Sequence, residues 1–140
     1  MMQIHFQVDG DPKGKGRPRF TRAGKFTRVY TDKQTLDYET LIKSFAAEAM
    51  GSTDPLETPV SVFLYIRHAV PQSYSKKRTE ACLSGLERPT KKPDWDNVSK
   101  SICDAMNGIV YLDDTQIVDA HVTKVYASNA GVDVMVMEVK

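Results

Sequence analysis

The segment between Lys92 and Gln116 constrains this chain most, because its apolar residues fit one face of a single short helix. They recur at i, i+4, i+7 and i+8: Val98, Ile102, Ala105 and Met106. This spacing is typical of a helix that buries one side. Gly108 follows in the position after the C-cap, where glycine is favoured. The sequence therefore predicts a helix that ends just before Gly108.

The opposite side of this helix is charged. Asp96, Lys100 and Asp104 lie at i, i+4 and i+8, and Asp94 stands two residues before Asp96. Proline at 93 favours an extended backbone at the entrance to the segment. If residues 94–96 are also extended, the carboxylates of Asp94 and Asp96 point to the same side, and Asp96 is the N-cap of the helix.

Taken alone, this charged side is most simply a solvated helix face with an i,i+4 ion pair. A second acidic pair, Asp113 and Asp114, follows shortly afterwards, and residues 109–112 are predicted as a short apolar strand that returns it towards the first pair. Crowded carboxylates repel each other unless a cation lies among them. Carboxylate oxygens suit hard ions such as Mg²⁺ or Mn²⁺, so the segment predicts a divalent-metal site.

Composition limits the remaining classes of protein. A chain of 140 residues has the size of one domain, here residues 1–140, and its net charge of +1 does not by itself indicate a nucleic-acid-binding protein. The sequence contains no apolar run long enough to span a membrane and no signal-peptide pattern, so a cytoplasmic protein is expected. Two cysteines are too few for a disulfide framework or a zinc site.

Positive charge is concentrated near the N-terminus. Residues 12–31 contain seven lysines and arginines, no acidic residue and three interleaved aromatic residues. This local pattern is expected for contact with a phosphate backbone, and a solvated basic loop is the alternative. The candidate contacts are Lys13, Lys15, Arg17 and Arg19. Lys91 and Lys92 directly precede the acidic motif, and they are candidates for the phosphates that flank a scissile bond.

The rest of the pattern predicts an α+β fold, a small mixed sheet with two main helices packed on it. Strands are predicted at residues 3–9, 60–66, 117–126 and 132–139; the second is apolar enough to be central, and the last two are predicted to form a hairpin. A helix is predicted from Thr31-Asp32 to about Met50, with a core-facing stripe of Leu36, Leu41, Ile42, Phe45, Ala46 and Ala49. Residues 71–92 are predicted as a polar, partly mobile excursion. His5 and His121 are predicted as sheet residues rather than metal ligands.

The acidic motif resembles that of the RusA-type Holliday junction resolvases, which are metal-dependent endodeoxyribonucleases. The family pattern is Pro-Asp-x-Asp-Asn-hydrophobic-x-Lys, then Asp-Ala and an Asn-Gly-like turn, then Asp-Asp-x-Gln. The matching residues here are Pro93 to Lys100, Asp104 to Gly108, and Asp113 to Gln116. The resemblance extends to the basic segment from Gly10 to Arg19, and residues 50–90 match only in general character.

The resemblance implies an enzyme that resolves four-way DNA junctions in recombination and repair. It selects Asp114, with Asp94 and Asp96, to hold one or two Mg²⁺ ions, for which Mn²⁺ could substitute; Asp113 and Asp104 would lie close behind. It also implies that Lys100 is needed for catalysis, where it would stabilise charge on the phosphate. A substrate with two-fold symmetry calls for two active sites, and hence for a homodimer.

Two alternatives stay open at this stage. A non-catalytic junction- or DNA-binding protein could use the same acids as a structural ion site. A nuclease for flaps or other branched DNA would use every one of these residues and differ only in substrate preference.

Overall fold

A computed structural model of the chain describes residues 2–16, 19–24, 26–30 and 33–139. Its strands are β1 (Gln3–Asp9), β2 (Arg19–Ala23), β3 (Phe26–Tyr30), β4 (Val60–Ala69), β5 (Ile117–Ala127) and β6 (Gly131–Glu138). Its helices are α1 (Lys33–Met50), α2 (Lys76–Leu83) and α3 (Trp95–Met106). No helix within those ranges is long and apolar enough to cross a membrane.

A four-stranded mixed sheet with the strand order β1-β6-β4-β5 forms the centre of the fold, and β2 and β3 pair separately. Strands β4 and β5 are parallel, whereas β6 is antiparallel to both β1 and β4. The single-domain α+β fold that the sequence predicts is confirmed. The predicted hairpin of the last two strands is wrong, because β4 lies between β5 and β6. Its apolar, mostly buried sequence makes β4 the central strand, as predicted, and it takes both later strands as neighbours.

One face of the sheet packs against α1 and α3, and the alternating residues of β1, β4 and β6 fill the core between them. The opposite face is largely exposed or half-buried. Across it runs one row of register partners: His5, Met135, Phe63 and His121. The rings of Phe63 and His121 stack with their centroids 4.6 Å apart, so both predicted sheet histidines lie on this open face, away from the acidic motif.

Helix α1 ends at Met50, as predicted, but its buried face is rotated from the predicted stripe. Ile42 and Ala46 are buried, whereas Leu36, Leu41 and Phe45 are exposed. The buried side instead includes two polar residues, Thr35 and Glu39. Both bind Lys15 or Gly16, as described below. Beside them runs an apolar row at i, i+4, i+8 and i+12, which the predicted stripe includes only in part: Tyr38, Ile42, Ala46 and Met50. The proposed cap, Thr31-Asp32, lies outside the described residues.

Residues 71–92 contain a helix that the sequence analysis missed. Helix α2 begins after Ser75, whose hydroxyl accepts a hydrogen bond from the Arg78 N–H at 3.1 Å. Arg78 in turn forms an ion pair with Glu87 at 3.0 Å. Cys82 is its one buried residue among those described. A helix that buries so little side chain has no apolar period, so the sequence predicts only a polar excursion at residues 76–83, and its partial mobility stays a prediction.

The predicted strand at residues 109–112 is also wrong. These residues form a tight turn that follows Gly108, which has the positive φ of 76° expected at the end of α3. The turn is apolar because Val110 and Tyr111 are fully buried, not because it is part of the sheet. Leu56 fixes it through backbone bonds to Val110 (2.8 Å) and Leu112 (3.3 Å), and the Tyr111 hydroxyl donates to the Cys103 carbonyl at 2.6 Å.

Candidate functional site

Helix α3 begins two residues earlier than the sequence analysis expected. Asp94, not Asp96, is the N-cap residue, and the N–H of Val98 donates to the Asp94 carbonyl at 3.1 Å. Asp96 therefore lies in the first helical turn. Residues 94–96 are not the extended segment that would point the carboxylates of Asp94 and Asp96 to the same side. Both remain exposed near the N-terminus of the helix, where its dipole favours negative charge.

The charged face of α3 is present as predicted. Its opposite side is buried through Val98, Ser101, Ile102, Ala105 and Met106. Lys100 is 62 % exposed at its side chain, and its Nζ lies 3.5 Å from Oδ2 of Asp104, one turn further along. A rise of about 1.5 Å per residue separates Asp96 from Asp104 by roughly 12 Å along the axis. Lys100 thus lies midway between two separate acidic positions.

The two residues of the second acidic pair, Asp113 and Asp114, have different roles. Asp113 caps a short 3₁₀ turn, Asp114–Gln116, by accepting a hydrogen bond from the Thr115 N–H at 3.1 Å. Hydrogen bonds from Thr115 hold the pKa of Asp113 below its usual value. The Gln116 amide fixes the turn, because its Nε2 donates to the carbonyls of Leu56 and Thr58, each at 2.9 Å. Sequence analysis quoted Gln116 as part of the motif but assigned it no role.

Asp114 instead faces the acids of α3. Burial raises its pKa above the usual value, and so do a hydrogen-bonding contact with Asp104 and the charges of Asp113 and Asp104. The Lys100 ammonium opposes this shift. The carboxylates of Asp104 and Asp114 are therefore held together at the expense of mutual repulsion, which a proton or a metal cation would relieve.

The loop of residues 12–16 passes directly over the start of α3. The N–H of Lys15 donates to the Asn97 carbonyl at 3.0 Å, and that of Gly16 donates to Oγ1 of Thr35 at 2.9 Å. A Cβ atom on Gly14 would lie 3.0 Å from the Cβ of Asn97, so glycine permits this close approach. The basic segment is thus joined to the acidic motif, a contact that neither sequence pattern indicates.

The side chain of Lys15 points inward. Its ammonium forms ion pairs with Glu39 of α1 and with Oδ2 of Asp104, the latter at 3.2 Å. Lys15 therefore balances acidic charge beside Asp114, and its predicted contact with phosphate stays a prediction. Arg17 lies outside the described residues, as does the side chain of Arg19.

Lys91 and Lys92 lie on a loop that is tied to β5. The Lys124 ammonium donates to the carbonyls of Lys91 (2.7 Å) and Pro93 (3.2 Å), and Nε of Arg88 donates to the Lys124 carbonyl at 3.0 Å. The Lys91 ammonium lies 5.6 Å from the centroid of the Tyr126 ring. The loop is therefore held in place before Asp94. Sequence analysis gave Lys124 no role, since a lysine on a strand carries no motif.

The site fits a hard divalent cation in its donor chemistry, because its oxygen ligands are carboxylates and Asp104 lies near enough to Asp114 to raise the pKa of that residue. Among the described residues, however, no three potential ligands converge at one point. Asp94 and Asp96 lie at the start of α3, and Asp114 faces Asp104 further along it. The structure thus brings Asp104, Asp114, Lys100 and Lys15 together, and leaves the first acidic pair apart from them.

Two comparisons with known proteins give the relationship of the chain. Residues 9–137 match the family model described as Endodeoxyribonuclease RusA. The chain is also 39 % identical over 139 residues to the uncharacterized protein YqaN of Bacillus subtilis (strain 168), covering 97 % of this chain and 96 % of that protein. The family match includes the acidic helix α3 and the strands β4 and β5.

Replacing Asp113 or Asp114 with asparagine should change Tm in opposite directions. An acid with a raised pKa destabilises the folded state at any pH above that pKa, and the effect vanishes below the unfolded pKa. Asp114→Asn should therefore raise Tm by a few degrees at pH 7 in EDTA, and the gain should disappear in acid. Asp113→Asn should lower Tm at pH 7, because the pKa of Asp113 is depressed. Thermal unfolding measures both, and a lower Tm for Asp114→Asn at pH 7 would contradict the repulsion argument.

Proposed function

Since the chain belongs to the RusA endodeoxyribonuclease family, we propose that it resolves four-way DNA junctions by symmetric hydrolysis of two phosphodiester bonds. The observation that carries this proposal is the charged face of α3, on which Lys100 lies between Asp96 and the contacting pair Asp104 and Asp114. This face supplies carboxylate oxygens that can bind a cation and an exposed ammonium group that can bind a phosphate. A DNA substrate also fits the expected cytoplasmic location.

We propose that Asp94, Asp96 and Asp114 hold the Mg²⁺ ions, with Mn²⁺ as a substitute. When bound, such ions activate a water molecule and neutralise charge on the attacking and leaving oxygens. The repulsion between Asp104 and Asp114 supports the part of this assignment that concerns Asp114, because a cation beside that carboxylate would relieve the repulsion. Asp104 and Asp113 would orient this group rather than bind directly, since Asp113 caps a turn and Asp104 already pairs with two lysines.

Lys100 would act on the phosphate. Its side chain is exposed and its pairing with Asp104 is long, at 3.5 Å, so its ammonium can turn to a DNA strand without breaking a buried contact. Asp104 would stay neutralised by Lys15 when this happens. A cation held beside the reacting phosphate stabilises the charge that grows as the bond breaks.

Lys13, Lys91 and Lys92 would bind the DNA backbone on the side of α3 where the helix begins, together with Arg17 and Arg19 of the basic segment. All three lysines are exposed. A four-way junction has two-fold symmetry, so two strands are cut alike only if two active sites are related by the same symmetry. We therefore propose a homodimer, which sedimentation equilibrium of the free protein would detect as twice the chain mass.

Cleavage of synthetic DNA tests the proposed function directly. The chain should cut a four-way junction symmetrically when Mg²⁺ is added, and should leave it intact in EDTA. Linear duplex and flap substrates run beside it separate junction resolution from a more general branched-DNA nuclease. Binding to the junction without any nicking would instead support a DNA-binding protein with a structural ion site.

Asp96→Asn should abolish cleavage and keep junction binding, because it removes metal-binding charge and leaves the lysines in place. The metal itself can be followed through Trp95, the one tryptophan of the chain, which is 59 % exposed between Asp94 and Asp96. Tb³⁺ bound there should luminesce on tryptophan excitation, and Asp96→Asn should weaken that binding. Asp37→Asn, an exposed acid of α1 outside the site, is the matched control. Cleavage near the parental rate would show that Asp96 holds no catalytic metal.

Lys100→Ala should impair turnover far more than affinity, because charge on the phosphate grows only as the bond breaks. We expect a fall of roughly 10²–10³-fold in the single-turnover rate at saturating enzyme, the range for loss of one charge-stabilising donor. If Lys100 only forms an exposed ion pair, its loss costs about 0.3–0.5 kcal/mol of stability and little activity. Lys43→Ala, an exposed lysine elsewhere, controls for loss of surface charge. A folded Lys100→Ala protein with the parental rate would remove the lysine from the mechanism.

A further inference from the structure

A cleft of about 330 Å³ opens at the start of α3. Three parts of the chain meet in it, and the residues that matter are Asp11, Lys13, His68, Lys91, Lys92 and Pro93. We call it the basic cleft. It brings Lys13 together with Lys91 and Lys92, which lie almost eighty positions later in the sequence. Pro93 in its wall directly precedes Asp94.

His68 is the unexplained residue of the basic cleft. It lies near the end of β4, is 5 % exposed, and its Nε2 has no hydrogen-bond partner among the residues that the structure describes. A buried polar atom without a partner costs roughly 1–3 kcal/mol, so such atoms are rare unless a ligand or water completes them. An unpaired nitrogen in the wall of a cleft therefore points to a group that binds there.

The charges around His68 indicate what that group is. Lys13, Lys91 and Lys92 line the same cleft, and Asp11 is the one acid among its lining residues. Burial lowers the pKa of His68, the charges of Lys124 and Lys91 lower it further, and Asp11 opposes them. The imidazole is then neutral at pH 7, with one N–H to donate. Three ammonium groups and one neutral donor suit an anion with several oxygens.

The walls of the basic cleft are held in place before any ligand arrives. Lys124 fixes the carbonyls of Lys91 and Pro93 on one side. On the other side, the backbone of Lys13 lies beside the hydroxyl of Tyr38, which is buried in the core, and it acts on the pKa of that hydroxyl. A ligand therefore loses little affinity to ordering of the protein.

We propose that the basic cleft binds a phosphodiester group of the DNA strand that is cut, next to the phosphodiester that is hydrolysed. The Nε2–H of His68 donates a hydrogen bond to that bound phosphate. This inference rests on the proposed function, and it adds a residue that no motif contains. The cleft would set the register of the strand on α3, because a phosphate fixed next to Pro93 determines which phosphate reaches the acids that follow. His68 is then a binding residue with no part in the chemistry.

The parental protein gives the first test. The chain has three histidines, and His5 and His121 lie on the open face of the sheet as internal references. Imidazole resonances are recorded by NMR while a short linear duplex is added in EDTA, so that nothing is cleaved. The His68 resonances should shift on binding, and those of His5 and His121 should stay in place.

Substitution gives the second test. His68→Phe should weaken binding of both duplex and junction by about tenfold or more, the value of a hydrogen bond to a charged group. It should leave the slope of log K against log[salt] unchanged, because no cation is lost. Lys92→Met in the same cleft should weaken binding and lower the slope by roughly 0.9, as expected for one phosphate contact. His121→Phe makes the same change on the open face and should alter neither quantity.

The outcomes separate this inference from the proposed function. Binding of DNA with an unshifted His68 resonance, or a folded His68→Phe protein with parental affinity, overturns the inference while junction cleavage still stands. A lower salt slope for His68→Phe also overturns it, because the imidazole would then bind as a cation. If His68→Phe does not fold, the spectrum of the parental protein still decides. A parental chain that binds no DNA at all refutes the proposed function itself.

Discussion

The closeness of the Asp104 and Asp114 carboxylates, which raises the pKa of Asp114, is the constraint around which the rest of the site is arranged. Two carboxylates stay together in a partly buried position only if the backbone that carries them cannot relax apart. One is fixed by the buried side of α3, where Val98, Ile102 and Met106 are fully inaccessible. The other is fixed by the Gln116 amide, which ties its turn to Leu56 and Thr58. Packing thus holds together two carboxylates whose repulsion a cation would relieve.

Lys15 connects this constraint to the first helix. Its ammonium joins Glu39 of α1 to Asp104 of α3, and its backbone N–H binds Asn97. The buried face of α1 carries Thr35 and Glu39 beside Tyr38, Ile42, Ala46 and Met50, whereas Leu36, Leu41 and Phe45 are exposed. The rotation of α1 therefore satisfies both its own apolar row and the ion pair between Glu39 and Lys15.

This explains what could be read from the sequence. The fold class, α3 with its apolar side, the end of α1 and the central place of β4 follow from short-range periodicity, and each was predicted correctly. The N-cap of α3, helix α2, the turn at residues 109–112 and the pairing of β5 depend on something else. Asp94 caps because the first turn closes on its carbonyl, α2 buries little more than Cys82, and β5 pairs across sixty residues with β4. The pairing of β5 with β4 leaves no local signal because of its range, and the same holds for the contacts of Lys15, Gln116 and Lys124. The N-cap of α3 and helix α2 are local features whose sequence signals are weak.

The parallel pairing of β4 with β5 determines the distance between the turn that carries Asp114 and the basic cleft. The parallel strands run side by side from Val60 and Ile117 towards His68 and Tyr126, so the turn that carries Asp114 precedes one end of the pair and the basic cleft lies at the other. Helix α3 runs between the same two ends in the direction opposite to the strands, because its start is held by Lys124 and its later turns face Asp114. From Asp94 to Asp104 the helix rises roughly 15 Å, which is more than one nucleotide step of an extended strand. Under the proposed function, a DNA strand held in the basic cleft would run along α3 past Asp96 and Lys100 to reach Asp114, so that the length of the helix would set which phosphate reaches the acids.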